Sequence, residues 1–396
     1  MKLYAQHGWG KGEKVDRGVD DRVIAGVVLS PHDEAPSDMS AYVAELSRGR
    51  FRPDLLFDPQ LYVSVIRDAN EGKLPQYDYY RPNSSLRDFA TLRSVQLLVR
   101  KCIDFQRDLR LTHILSPTIC AESFTDRSAQ IALTLAQETL DYWTGISGER
   151  RPLLLSFVFS EFALAHSDQV SEFLDTISLL EADGFYFVVE RNNPVYSQDF
   201  QSTRLAQMAR MVYSLKRSRF DVICGYSDFL SLFYGSVGAD AGATGWSQKL
   251  RRFNRARFQP SAGGRRARDR YSSSKLINSI YLTELDACQD AQKLRAVKSG
   301  TAYDRCFDGR SYPSGVSWSA EDRELHHWAS ISLLLANLTT TNVRDRLNIL
   351  SLLVADAQTL YRDLARLGVS FEPPNGPSHL ESWAEAIAMF LSEVRV

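Results

Sequence analysis

Three carboxylates stand immediately beyond short β-rich apolar runs. Asp58 follows residues 55–57, Glu161 follows 153–159 after one serine, and Glu190 follows 185–189. If those runs are parallel strands, the three acids share one face. Neighbouring strands lie about 4.7–4.9 Å apart, so Glu161 and Glu190 at matching heights would approach the roughly 5–5.5 Å spacing of a double-displacement glycosidic pair. Such closeness raises one pKa and leaves the other carboxylate ionised, giving an acid and a base from one residue type. Asp58, across the mouth, would hold a sugar hydroxyl or stabilise a cationic transition state. The alternative is that Glu190 pairs with Arg191 or another rim arginine and that Glu161 opens a helix.

A second chemical feature is hidden by the overall balance of 47 basic against 48 acidic residues. Between Lys249 and Lys275 the chain carries Arg251, Arg252, Arg255, Arg257, Arg265, Arg266, Arg268 and Arg270, with Asp269 as the single acid. The segment is therefore +9 and the remainder −10. Guanidinium groups grip phosphate bidentately and stack on bases, and Phe253, Phe258 and Tyr271 are interleaved as stacking surfaces. The eight arginines are expected to bind a polyanion, most commonly nucleic acid or a nucleotide. A clamp onto an acidic surface of the same fold is the competing reading.

The elements that must position these groups alternate. Strands are expected at 3–6, 25–29, 55–57, 113–115, 153–159, 185–189, 221–224 and 241–244. Amphipathic helices are expected between them, as at 85–108, where Leu86, Phe89, Leu92, Val95 and Val99 form one stripe, and at 126–143, 167–182 and 205–215. Eight strands separated by helices in about 250 residues match a (β/α)8 TIM-type barrel, with an open doubly wound sheet as the competitor. The expected organisation is a barrel over residues 1–248, the Arg-rich segment 249–275, and a helical C-terminal region 276–396 that packs on the barrel or on a second copy. Ser378-His379-Leu380-Glu381 reads as a capping box opening the last helix.

Residues 224–247 resemble the seventh and eighth units of phosphate-binding (β/α)8 barrels. Cys224-Gly225-Tyr226-Ser227-Asp228 follows one strand, and Gly238-Ala239-Asp240-Ala241-Gly242-Ala243-Thr244-Gly245 spans the next. The resemblance implies that Gly225, Ser227, Gly242, Thr244 and Gly245 close backbone amides on a phosphate. It departs from that pattern in a single glycine after strand seven and in the bulk of Trp246. In outline, carboxylates at a barrel mouth beside a polyanion grip look like base-exchanging barrels such as tRNA-guanine transglycosylases, although their zinc-binding cysteines are missing. The leading expectation is thus an enzyme cleaving or exchanging a glycosidic bond in a nucleotide or nucleic acid. A non-catalytic polyanion- or partner-binding subunit is the alternative, and metal-dependent hydrolysis through His7, His32 and Asp58 is a third reading.

Composition limits the rest. At 396 residues with 44% hydrophobic and 24% charged residues, the chain buries a large core without staples. Cys102, Cys120, Cys224, Cys288 and Cys306 are odd in number and widely spread, which argues against a disulfide framework or a cysteine-built zinc site. No Walker loop, GxGxxG or HExxH occurs, and no cofactor or metal is expected. Without an apolar run of about 18 residues or a signal-type start, the expected location is cytoplasmic, away from membranes.

Overall fold

The computed structural model describes residues 1–193, 195–260 and 268–394. The chain forms a nearly closed parallel barrel. Its strands are β1 (Lys2–Gln6), β2 (Gly26–Leu29), β3 (Asp54–Phe57), β4 (Ile114–Leu115), β5 (Cys120–Ala121), β6 (Leu153–Ser160), β7 (Gly184–Glu190), β8 (Asp221–Gly225) and β9 (Ala241–Thr244). They run β3-β2-β1-β9-β8-β7-β6-β4, with β5 also on β6, and every pairing is parallel. At the seam, β3 and β4 meet through Thr112, whose amide donates to the Leu55 carbonyl (2.9 Å) and whose hydroxyl accepts from the Leu55 amide (2.8 Å).

Each of the eight expected strands is present. The fourth is split, because Leu115 pairs with Leu154 but Cys120 with Val158, so five residues oppose four. Pro117 lies within the bulge, where it has no N–H to give a ladder. On β6 and β7, Phe157, Phe185 and Phe187 stack on one another, and Phe157 meets Phe173 of the helix Ser167–Ser178. The alternate residues Ser156 and Tyr186 face the barrel interior, where the Tyr186 hydroxyl reaches Gln6 Oε1 at 3.4 Å. Gly184 lets β7 and β8 approach, since a Cβ there would sit 2.2 Å from the Asp221 carbonyl oxygen.

Beyond the barrel the expectation of helices alone is corrected. An antiparallel hairpin, β10 (Arg270–Ser273) and β11 (Asn278–Tyr281), turns through Ile277 at a φ of 51°. Its serines hid it from a search for apolar runs. They are buried by hydrogen bonding instead: the Ser272 carbonyl accepts from His326 Nε2 (2.8 Å) and from the Ser330 hydroxyl (3.0 Å), both on the helix Ala320–Leu335. Two more long helices follow, Val343–Arg366 and Ser378–Glu393. The last packs on the barrel helix Ser202–Arg217, with Phe390 against Tyr213. Ser378 does not close a capping box; its hydroxyl donates to Asp199, and Pro377 takes the N-cap. None of the described helices is long and apolar enough to cross a membrane.

Trp328 joins this helical region to the barrel. It is fully buried, edge-on to Trp246, and its indole N–H donates to the Thr244 carbonyl at the end of β9 (2.8 Å). Trp328→Ala is expected to lower stability by about 3–5 kcal/mol in chemical denaturation, the usual range for emptying a buried aromatic site. Leu352→Ser, at a side chain 66% exposed, should stay within about 0.5 kcal/mol of the parent.

Candidate anion-binding groove at the barrel mouth

The Arg-rich segment folds back across the strand ends. After β9 it forms a helical turn, Gln248–Arg251, and a 3₁₀ turn, Arg255–Phe258. Phe253 and Phe258, expected as stacking surfaces, are fully buried between Tyr62, Tyr226 and His32, and Tyr271 is buried in the hairpin. Residues 252–258 are thus a lid whose rings fill the mouth.

The mouth carboxylates hold that lid. Both Glu190 oxygens lie 2.8 Å from Arg255 Nε, and one also accepts from the Arg255 amide (3.1 Å). Arg255 reaches Glu122 as well. Glu161 does not sit opposite Glu190, because the register pairs Ser160 with Glu190, and a one-residue step turns a side chain to the other face. Glu161 instead begins a 3₁₀ turn, accepts from the Asn192 amide (2.7 Å) and faces Arg204 (3.4 Å) and Arg191 (3.6 Å). The two glutamates therefore answer to different arginines and share no partner among the described residues.

Asp58 differs from both. It is 2% exposed, accepts from the Tyr62 hydroxyl (2.9 Å) and the Gln60 amide (3.1 Å), and has no cation within ion-pairing distance among the described residues. Burial pushes its carboxyl up to about 6, against the opposing pull of those hydrogen bonds and the more distant Arg257. Gln60 beside it holds a φ of 51° and leaves its buried Nε2 without a partner. Tyr226 (φ 51°) and Asp228 (φ 45°) are also left-handed just past β8. Strained backbone of this kind clusters where the surroundings fix a site.

The turn expected to cradle phosphate is spent internally. The Ser227 amide donates to the Ala243 carbonyl (2.8 Å) and its hydroxyl meets Ser231 (2.7 Å), while the Gly245 amide donates to the Leu250 carbonyl (3.0 Å). A Cβ at Gly225 would strike the Tyr186 hydroxyl and one at Gly242 the Ser231 hydroxyl, so both glycines serve packing. Thr244 is buried against His327. The metal reading also loses its geometry. His32 spends both ring nitrogens on Asp33 and the Asn70 carbonyl, and among the described residues no cluster of three His, Cys, Asp or Glu side chains could hold an ion. Burial lowers His7 to about 4, so it is neutral at ordinary pH.

The arginines divide by direction. Arg251 is buried and donates to the Trp246 carbonyl (3.1 Å); Arg270 is buried and donates to the Ser279 carbonyl and to Asn375 (both 2.6 Å). Arg268 grips Glu372 through two bonds (2.6 and 2.7 Å). Arg257 donates to the Tyr226 hydroxyl (2.7 Å) and lies 3.9 Å from Asp33. Arg252 donates to the Val195 carbonyl (2.8 Å) and the Asn193 carbonyl. Arg265 and Arg266 lie outside the described residues.

Two clefts open along this surface. The first, about 540 Å³, is lined by Lys249, Arg252 and Arg257 together with Asn192, Tyr196 and Asn254, and no acid contributes among the described residues. The second, about 330 Å³, places Lys249, Arg251, Arg268, Arg270 and Arg323 around Asp269 and Glu324. Those two acids are already met by Arg323 (2.6 Å) and Lys14 (2.6 Å). Gln248 and Lys249 line both clefts, so the two adjoin at that turn along one grooved surface. Neither Lys249 nor Arg252 has a carboxylate partner among the described residues, and Arg252 is lowered by burial and by Arg191. Arg323 and Tyr196, remote in sequence from the Arg-rich segment, gave no local signal.

No protein-family model matches the chain, and neither does any curated protein.

Two outcomes follow from the mouth. Arg255→Ala leaves Glu190 buried without its cation, which should cost about 3 kcal/mol and raise amide hydrogen exchange across residues 252–258 relative to the parent. For Asp58, the folded chain holds the proton up to about pH 6, above the usual carboxylate range that the unfolded chain keeps, so ionisation penalises the fold as pH rises through that window. Asp58→Asn removes the penalty, and its stability relative to the parent should climb between about pH 4 and pH 6.5 in denaturation series, then level off.

Proposed function

We propose that this barrel binds the phosphates of a nucleotide or nucleic acid in the groove across its mouth. The observation that carries the reading is the first cleft, whose described lining holds Lys249, Arg252 and Arg257 and no acid, with Lys249 and Arg252 lacking a carboxylate partner among the described residues and Arg257 lying 3.9 Å from Asp33. Uncompensated guanidinium and ammonium groups at a concave surface attract anions, and a groove that continues past one phosphate-sized site suits a chain of them. The expected contribution of Gly225, Ser227, Gly242, Thr244 and Gly245 is replaced in this reading by Lys249, Arg252 and Arg257.

Within the same reading the protein acts on its ligand at a glycosidic bond, and Asp58 is the residue for it. A carboxyl raised to about 6 is poised to give a proton to a leaving base near neutral pH, with Tyr62 orienting it. The lid then has to lift, since Phe253 and Phe258 cover the mouth. Glu161 and Glu190, expected as the catalytic pair, act as anchors for that lid and its rim. One observation favours a second reading, a binding subunit without turnover: both glutamates are already neutralised by arginines.

Binding is tested with a nucleoside triphosphate and with single- and double-stranded oligonucleotides over a salt series. Affinity should fall as salt rises, with a log–log slope of about −0.7 to −0.9 per phosphate contact. Lys249→Glu with Arg252→Gln should weaken binding at least about tenfold and flatten the slope by one to two contacts. Salt-independent binding, or none, sinks the proposal. Assaying base release or exchange with the parent and with Asp58→Asn separates the two readings, because a binding subunit is inert in both.

A further inference from the structure

Trp9 is 84% exposed, the most exposed of the large apolar side chains among the described residues. It follows β1 on the face where the strand ends gather, and its backbone is pinned to the groove at two points. Its carbonyl accepts from Trp246 Nε1 (3.3 Å), and Trp246 lines the second cleft. Just before it, Gly8 lies against Leu250, where a Cβ would come within 2.6 Å of that side chain. Leu250 is the direct neighbour of Lys249, which lines both clefts. Gly10 and Gly12 hold φ values of 74° and 49° with open space around them, so the backbone conformation, and not crowding, calls for glycine there.

An indole left in water costs free energy that a ligand recovers by covering it. A protein partner would need an apolar patch, yet the loop Gly8-Trp9-Gly10-Lys11-Gly12 offers one ring and no second apolar side chain. Nearby, Lys14 lies over the Trp246 ring while paired with Glu324, and the exposed Lys249 has no carboxylate partner among the described residues. One accessible π-face near Lys249 and Arg252, the groove cations that have no carboxylate partner among the described residues, is the combination that binds an unpaired base and its phosphates together.

Resting on the proposed phosphate groove, we propose that the ligand is single-stranded nucleic acid and that Trp9 stacks on one of its bases. The phosphates flanking that base run along Lys249 toward Arg252 and Arg257. A duplex keeps its bases inside and cannot offer one to Trp9, so strand state, not charge density, governs recognition. Phe253, Phe258 and Tyr271 are unavailable for the same task because they are buried.

The test compares a 12-nucleotide single strand, the same strand in a duplex, and inorganic polyphosphate as a probe of charge alone. The single strand should bind more tightly than the duplex and quench tryptophan fluorescence. Trp9→Ala should weaken it by about 5- to 100-fold, the usual loss for one base–aromatic stack, while polyphosphate binding stays unchanged. Trp9→Phe should restore most of the affinity without the quench. If the single strand binds Trp9→Ala as tightly as the parent, or the duplex binds as well as the single strand, the stacking proposal is overturned and the phosphate groove stands. If none of the three probes binds the parent, the groove itself is overturned and Trp9 falls with it.

Discussion

An ionised carboxylate is costly to bury without a cation, and at the end of β7 the pairing of Glu190 with Arg255 shapes the whole mouth. The Glu190 side chain is 4% exposed, and an uncompensated charge there would cost several kcal/mol. Arg255 meets it from a segment that begins after β9, so the pairing draws residues 252–258 across the strand ends. Phe253 and Phe258 are then carried down among Tyr62, Tyr226 and His32. Once the lid is seated, Arg257 lies against Tyr226 and Asp33, while Arg252 and the nearby Lys249 meet no acid among the described residues. Lys249 and Arg252 turn to solvent and line the groove. The internal ion pair thus sets which positive charges remain for a ligand.

How much of this was legible depends on what a local pattern records. Strands such as 153–159 announce themselves because Phe, Val and Leu fill both faces of a buried parallel strand. The helix stripes are equally plain, with Leu98 and Val99 buried where the periodicity puts them. The hairpin is not, because its serines are buried by hydrogen bonding to His326 and Ser330, which no apolar count detects. A strand resuming after Pro117 is missed for a related reason, since proline reads as a stop and here marks a bulge.

At the site, the type of charge could be read but not its direction. Eight arginines in one stretch show where positive charge concentrates, yet nothing local distinguishes Arg270, buried on a carbonyl and Asn375, from Arg252 on the groove wall. The carboxylates show the same limit. Glu161 and Glu190 differ by a single residue of register, and that step sends them to separate arginines. Asp58 keeps its singular environment because Tyr62, four residues on, folds its hydroxyl back onto it. Arg323 and Tyr196 join the groove from elements far along the chain, where only tertiary packing assembles them.

The join between β3 and β4 has a mechanical meaning. Everywhere else the circumference is closed by a ladder of strand pairs, but here the two edges are held by Thr112 on Leu55. The long excursion from residue 58 to residue 112 leaves and re-enters at this join, and it carries Gln60, Tyr62 and the contacts around Asp58. The join therefore depends on a side chain as well as on backbone, and a change at Thr112 would loosen it while leaving every strand pair in place.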